Sequence, residues 1–171
     1  MDFLPAVPGT AEKIAVWAAV GLPVAFGMEL WAAFLHHRLW HGPLWFLHRS
    51  HHEPRHGAFE KNDVFAVFHA AVAIALILWG CVGTPGWGRE AGFGLGLGMT
   101  AFGLSYMLVH DGLVHERLPV GFLERWPWMH RIAAAHRGHH RTGAFPYGMF
   151  LGPQEARRAA RRSRAASAPL G

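Results

Sequence analysis

The chain is poor in charge. Only 16% of its 171 residues are Asp, Glu, Lys or Arg, and the acidic residues number 11. A disordered chain needs high charge and few apolar residues, so that class is excluded, and little charge is left to coat a soluble domain. Cysteine is nearly absent. Cys81 stands alone, which rules out an intrachain disulfide or a thiolate metal cluster and makes it a small apolar residue within a span. No nucleic-acid motif accompanies the net charge of +5, so no nucleic-acid partner is expected. The N-terminus has neither a basic stretch before its apolar run nor a small-x-small cleavage site. The first segment is therefore expected to be a retained span rather than a removed signal peptide.

What the chain has instead is histidine and apolar surface. There are 14 histidines, 8 Trp and 12 Phe, and 51% of residues are apolar. The length suits one domain. Three runs are long enough to cross a bilayer: Ile14–Leu35, Val64–Val82 and the glycine-rich Ala91–Val109. The expected fold is all-α, an integral membrane helical bundle of three to four transmembrane helices with a histidine-rich metal site on the cytoplasmic side. The membrane-embedded domain is expected over 1–153. Residues 154–171, rich in Arg, Ala and Ser, read as a disordered or membrane-surface tail without a catalytic role.

Ten of the 16 basic residues lie between Arg117 and Arg164, and four more lie between residues 36 and 63. The segment before the first run and the turn between the second and third carry one each, Lys13 and Arg89. Positive charge belongs inside, so the N-terminus is expected outside and the C-terminus in the cytoplasm.

Ten histidines form two sets with one grammar, His-x4-His followed by His-x2-His-His. The first set is His36, His41, His48, His51 and His52; the second is His110, His115, His136, His139 and His140. In His-x2-His-His, residues three and four apart share a helical face, so each triplet can converge on one metal centre. In His-x4-His, the pair is about 140° apart on an ideal α-helix and meets only if the helix ends or unwinds. Gly42–Pro43 and Gly112 offer that freedom. Neutral imidazoles suit iron, zinc or copper, and ten exceed the capacity of one ion, so two metals are expected.

His37 competes with His36 on spacing, and the repeated grammar favours His36. His56, His69 and His130 fall outside it. Glu29, seven residues before His36, and Asp111, beside His110, are expected to hydrogen-bond ligand imidazoles. Glu53, Glu60 and Asp63 are equally readable as solvated loop charges.

The ordered histidines, together with HHEPRHGAFE (51–60), KNDVFAV (61–67) and VHDGLVHERLP (109–119), resemble the bacterial β-carotene hydroxylases. These belong to the fatty acid hydroxylase/sterol desaturase superfamily. The likeness runs from about Gly27 to Pro153. It implies a non-haem di-iron monooxygenase of the bacterial inner membrane, with the ten histidines as iron ligands and O2 as co-substrate. It also implies β-carotene and related carotenoids as substrates, hydroxylated at ring carbon 3 to β-cryptoxanthin and zeaxanthin, or from canthaxanthin to astaxanthin. Electrons would come from reduced ferredoxin and its reductase. Alternatives are a carotenoid 4-ketolase, a fatty-acid hydroxylase, or a non-enzymatic membrane haem or metal carrier. A zinc hydrolase fits less well, since no glutamate sits inside the histidine boxes.

Overall fold

The computed structural model describes residues 7–54 and 57–166, and every regular element among them is helical. Three helices are long and apolar enough to cross a membrane: Thr10–Trp40, Asp63–Val82 and Trp87–Val114. Each contains one of the runs expected from sequence, and a fourth does not occur among the described residues. The first and third exceed their apolar runs because each continues, without a break, from an α-helix into a π-helical segment. Helix α1 (Thr10–Leu35) runs into π1 (His36–Trp40), and α4 (Trp87–Tyr106) runs into π2 (Met107–Val114). Helix α2 (Trp45–His52) follows π1, and α3 (Asp63–Val82) is the second span. After π2 come a 3-10 turn (Gly121–Arg125), α5 (Pro127–Thr142) and α6 (Gly152–Ala166).

The chain divides into two compact units. Among the described residues, the first comprises 7–28 and 62–104. Here α1 and α4 approach at their backbones, because glycines leave no side chain between them. A Cβ on Gly21 would lie 2.9 Å from the Gly94 carbonyl oxygen, and one on Gly98 would lie 2.8 Å from Val24 Cβ. That contact is the membrane use of glycine, packing in place of propensity. Glu90, in the first turn of α4, is buried but not isolated. It accepts from Trp17 Nε1 at 2.9 Å and from Arg89 at 2.6 Å. Along α3 the side chains of Val67, Phe68, Ile74, Leu78 and Val82 face outward, each more than half exposed, as a lipid-facing span requires.

Among the described residues, the second unit comprises 29–54, 57–61 and 105–166 and contains all ten boxed histidines. Its apolar core is small: Val109, Ile132 and Met149 in one cluster, with Leu113, Val114 and Ala133 in another. Both clusters press α5 against π2. Pro127 begins α5 where its missing N–H costs nothing. Gly143 ends it at φ 66°, a left-handed cap whose N–H bonds the His139 carbonyl at 2.7 Å. Residues 152–166 of the basic C-terminal stretch form α6, and 167–171 lie outside the described residues.

Candidate metal centre

The two His-x4-His pairs are brought together where each helix widens and ends. His41 N–H donates to the His36 carbonyl at 2.9 Å, and His115 N–H donates to the His110 carbonyl at 3.0 Å. These are i→i+5 bonds, the π-helical pattern. Widening the turn places residues five apart one above the other, where an α-helix would hold them about 140° apart. The helix was expected to end or unwind at each pair; it widens and then ends, with His41 and His115 as the C-terminal caps, and Gly112 lies within π2.

The ten histidines gather into two groups of five. One is His36, His41, His48, His52 and His139; the other is His51, His110, His115, His136 and His140. These groups are not the two sequence sets, because His51 and His139 have exchanged. The expectation that each His-x2-His-His converges on one centre is corrected by helix geometry. On α2, His48 and His52 lie about 40° apart, whereas His51 lies about 100° from His52 on the other flank. The same offset on α5 sends His136 and His140 to one group and His139 to the other.

Within each group one ligand atom per residue lies within 4.8 Å of all the others. Neighbouring Nε2 atoms are 3.1 Å apart for His36 and His48, 3.2 Å for His48 and His52, and 3.1 Å for His41 and His139. In the second group they are 2.9 Å apart for His51 and His110 and 3.1 Å for His136 and His140. Two nitrogens each ~2.1 Å from an ion and at right angles to it are about 3.0 Å apart. Five nitrogens at such spacings suit a five- or six-coordinate transition metal better than a four-coordinate structural zinc.

The hydrogen bonds on the far side of the rings point the same way. His51 Nδ1 donates to Glu60 Oε2 at 3.1 Å, and His110 Nδ1 donates to Asp111 Oδ1 at 3.1 Å. Burial, then the neighbouring histidines, hold His51 well below the usual histidine range, so it stays neutral. With their protons on Nδ1, His51 and His110 face each other across 2.9 Å with two lone pairs. That arrangement is repulsive alone and favourable around a shared cation. His115 Nε2 is likewise buried with no hydrogen-bond partner. In the first group, His36 Nδ1 donates to the Tyr147 carbonyl at 2.8 Å and His139 Nδ1 to the Ala144 carbonyl at 2.6 Å. All four Nδ1–H donors therefore fix ring orientation and turn Nε2 inward.

Of the residues expected to support the imidazoles, Asp111 does so and Glu29 does not. Glu29 is buried, but its Oε1 accepts the Leu151 N–H at 2.9 Å. It reaches a loop rather than a ring, since it lies about two turns below His36 on the helix. Glu60, left open in the sequence, carries the bond to His51, and Arg117 grips both carboxylates, at 2.6 Å from Glu60 and 3.4 Å from Asp111. Both residues sit in the segments that carry the family resemblance, the one signal available. The Ala144 and Tyr147 carbonyls had no signal, because every residue has a carbonyl. Glu53 is exposed and paired with Arg49.

His36 lies inside the first group, while His37 is exposed and stacks on Tyr147 with centroids 4.3 Å apart. His69 bonds the Phe65 carbonyl of its own helix, and His130 pairs with Glu124. Neither belongs to a group. His56 lies outside the described residues.

Burial lowers His41 and His52 to about 4, His115 to about 3 and His140 to about 2, with adjacent histidines adding to the effect. Each folded-state value lies below the unfolded one near 6.5. The unfolded chain therefore binds more protons in this window, and stability is complete above pH ~6.5 and lost as pH falls through it. Metal-free protein is expected to lose thermal stability steeply between about pH 6.5 and 4. A melting temperature flat across that window would contradict the shared burial of these rings.

A fatty acid hydroxylase family model matches residues 22–153. The chain is similar to β-carotene 3-hydroxylase 2, chloroplastic, of Arabidopsis thaliana, at 51% identity over 140 residues, 80% of this chain and 46% of that one. It is 49% identical over 135 residues, 77% of this chain and 42% of the relative, to β-carotene 3-hydroxylase, chloroplastic, of Haematococcus lacustris. Against β-carotene hydroxylase of Pantoea ananas it is 43% identical over 143 residues, 81% of this chain and 79% of that one. It thus spans about half the length of the chloroplast relatives it matches. No solved structure matches. With ten histidines in two convergent groups and a family model that covers most of its length, the chain belongs to the fatty acid hydroxylase family and groups within it with the β-carotene hydroxylases.

Proposed function

We propose that this chain is a β-carotene 3-hydroxylase whose two histidine groups each hold one iron. The observation that carries the reading is the pair of five-nitrogen groups, their lone pairs converging and free of any carboxylate. Imidazole-only sites suit iron and disfavour magnesium or calcium. The ligands are His36, His41, His48, His52 and His139 for one ion, and His51, His110, His115, His136 and His140 for the other. Two irons so held would supply the redox chemistry of a ring C–H hydroxylation by O2, in which one oxygen atom enters the product and two electrons and two protons reduce the other to water. The electrons come from reduced ferredoxin.

The protein's own part is orientation and exclusion of water. Glu60, Asp111 and two loop carbonyls fix four rings, and burial keeps His51, His52 and His140 neutral and ready to bind metal. Tyr106, with its centroid 4.7 Å from that of His110, covers one side of the second group. The substrate is an apolar polyene dissolved in the bilayer, and both His-x4-His pairs lie at the C-terminal ends of spans, where a ring can arrive from lipid. The concentration of basic residues in the loops supports the cytoplasmic side of a bacterial inner membrane for those ends, with the N-terminus in the periplasm.

The test is pigment chromatography of a β-carotene-accumulating bacterium that expresses the chain. Zeaxanthin and β-cryptoxanthin are expected. Keto-carotenoids would move the assignment to a 4-ketolase, and unchanged β-carotene beside abundant membrane-inserted protein would overturn the substrate.

A further inference from the structure

The two groups use Nε2 alike, but what holds the far side of their rings differs in kind. In the group that contains His110, the rings of His51 and His110 donate to the carboxylates of Glu60 and Asp111, both within reach of Arg117. In the group that contains His36, the rings of His36 and His139 donate to neutral peptide carbonyls, those of Tyr147 and Ala144, on one loop. That loop is pinned in turn from two helices. Glu155 Oε2 on α6 accepts the N–H groups of Tyr147 at 2.9 Å and Gly148 at 3.1 Å. Glu29 Oε1 on α1 accepts the N–H of Leu151 at 2.9 Å. Gly148 sits between the two carboxylates: a Cβ there would be 2.9 Å from Oε1 of each. Glu155 lies in the basic C-terminal stretch, which no motif connects with the histidines.

We propose that the Ala144–Leu151 loop, held by Glu155 and Glu29, is the positioning device of the His36 group alone, and that the two ions are consequently inequivalent. A carboxylate acceptor draws more strongly on an imidazole N–H than a peptide carbonyl does, and makes the ring a better donor to metal. The ion in the His36 group is therefore the more weakly held and leaves first. Glu155, which touches neither ring nor ion, sets how readily it leaves. This inference rests on the two-ion reading above.

The experiment is chelator challenge of purified full-length protein loaded with Fe(II), with the remaining metal per chain measured over time. The wild type is expected to release its metal in two phases of one ion each. Glu155→Ala should speed the faster phase on the order of tenfold and leave the slower unchanged, since loss of an outer partner costs roughly 10–100-fold in metal affinity. Glu155→Gln keeps an oxygen that accepts both N–H groups and should behave as wild type. Gly148→Ala, which displaces both carboxylates from within, should act as Glu155→Ala does. Glu60→Gln should speed only the slower phase.

Release of both ions in one phase, an equal change in both phases, an effect of Glu155→Ala on the slower phase only, or a Gln variant as leaky as Ala would each overturn the proposal. A wild-type protein that never holds two ions overturns the two-ion reading itself, a result distinct from two ions leaving together. Should Glu155→Ala fail to fold, the wild-type release profile still decides whether the centres differ.

Discussion

Replacing His51 by alanine is expected to empty the group centred on His110 and to spare the group that holds the rest of its own box. His51 lies on α2 beside His48 and His52, yet its Nε2 is 2.9 Å from that of His110. Loss of a ligand should exceed the roughly 10–100-fold cost of losing an outer hydrogen-bond partner. Hydroxylated carotenoid should therefore fall by more than about 100-fold, and bound iron should drop from two ions per chain to one. Double variants separate this arrangement from one in which each box serves its own ion. His51→Ala with His140→Ala strikes a single group and should still leave one ion. His51→Ala with His48→Ala strikes both and should leave none. If the first pair lost both ions while the second kept one, the exchange of His51 and His139 between groups would be wrong.

Stripping the metal should destabilise the second compact unit more than any single outer-partner substitution. Its apolar core is thin, and at its centre sit ten imidazoles, several with lone pairs aimed at one another. An ion that binds only the folded state stabilises it by RT ln(1 + [L]/Kd), about 4 kcal/mol when free ion is a thousand times Kd, so two ions contribute about 8 kcal/mol. At ~2–4 °C per kcal/mol, the melting temperature should fall by about 15 °C or more in chelator. Readdition of Fe(II) should restore it. An unchanged Tm after verified removal of metal would mean that the rings are held by packing alone, and the two groups would lose their claim to be binding sites. Chelation and acid should act together, because both leave the same buried rings without a cation to satisfy them.

The parts of this molecule legible in one dimension are those governed by period and composition. An apolar run of about 20 residues has few fates other than a span, and the runs begun at Ile14, Val64 and Ala91 each lie in one of the three long helices. The repeated histidine spacing named the ten residues that converge, because a spacing repeated at two places in a chain is itself a one-dimensional signal. His36 could be preferred to His37 on that ground alone. Asp111 was legible for the same reason, being next in sequence to the ring it serves.

Tertiary structure decided whatever depended on direction or on distant backbone. The division of the histidines between groups follows from where the flanks of α2 and α5 point, and no spacing rule states which flank faces which partner. The π-helical turns at His36 and His110 depend on a hydrogen-bond register that glycine and proline positions did not foretell. Glu29 illustrates the limit. Its place in a span marked it as a buried carboxylate with work to do, but its partner is the Leu151 amide, 122 residues further along the chain. The sequence determined which histidines converge, since residue type and period are local properties. Only the folded chain could decide which of them share a group and what holds them there, since those depend on contacts between residues far apart in sequence.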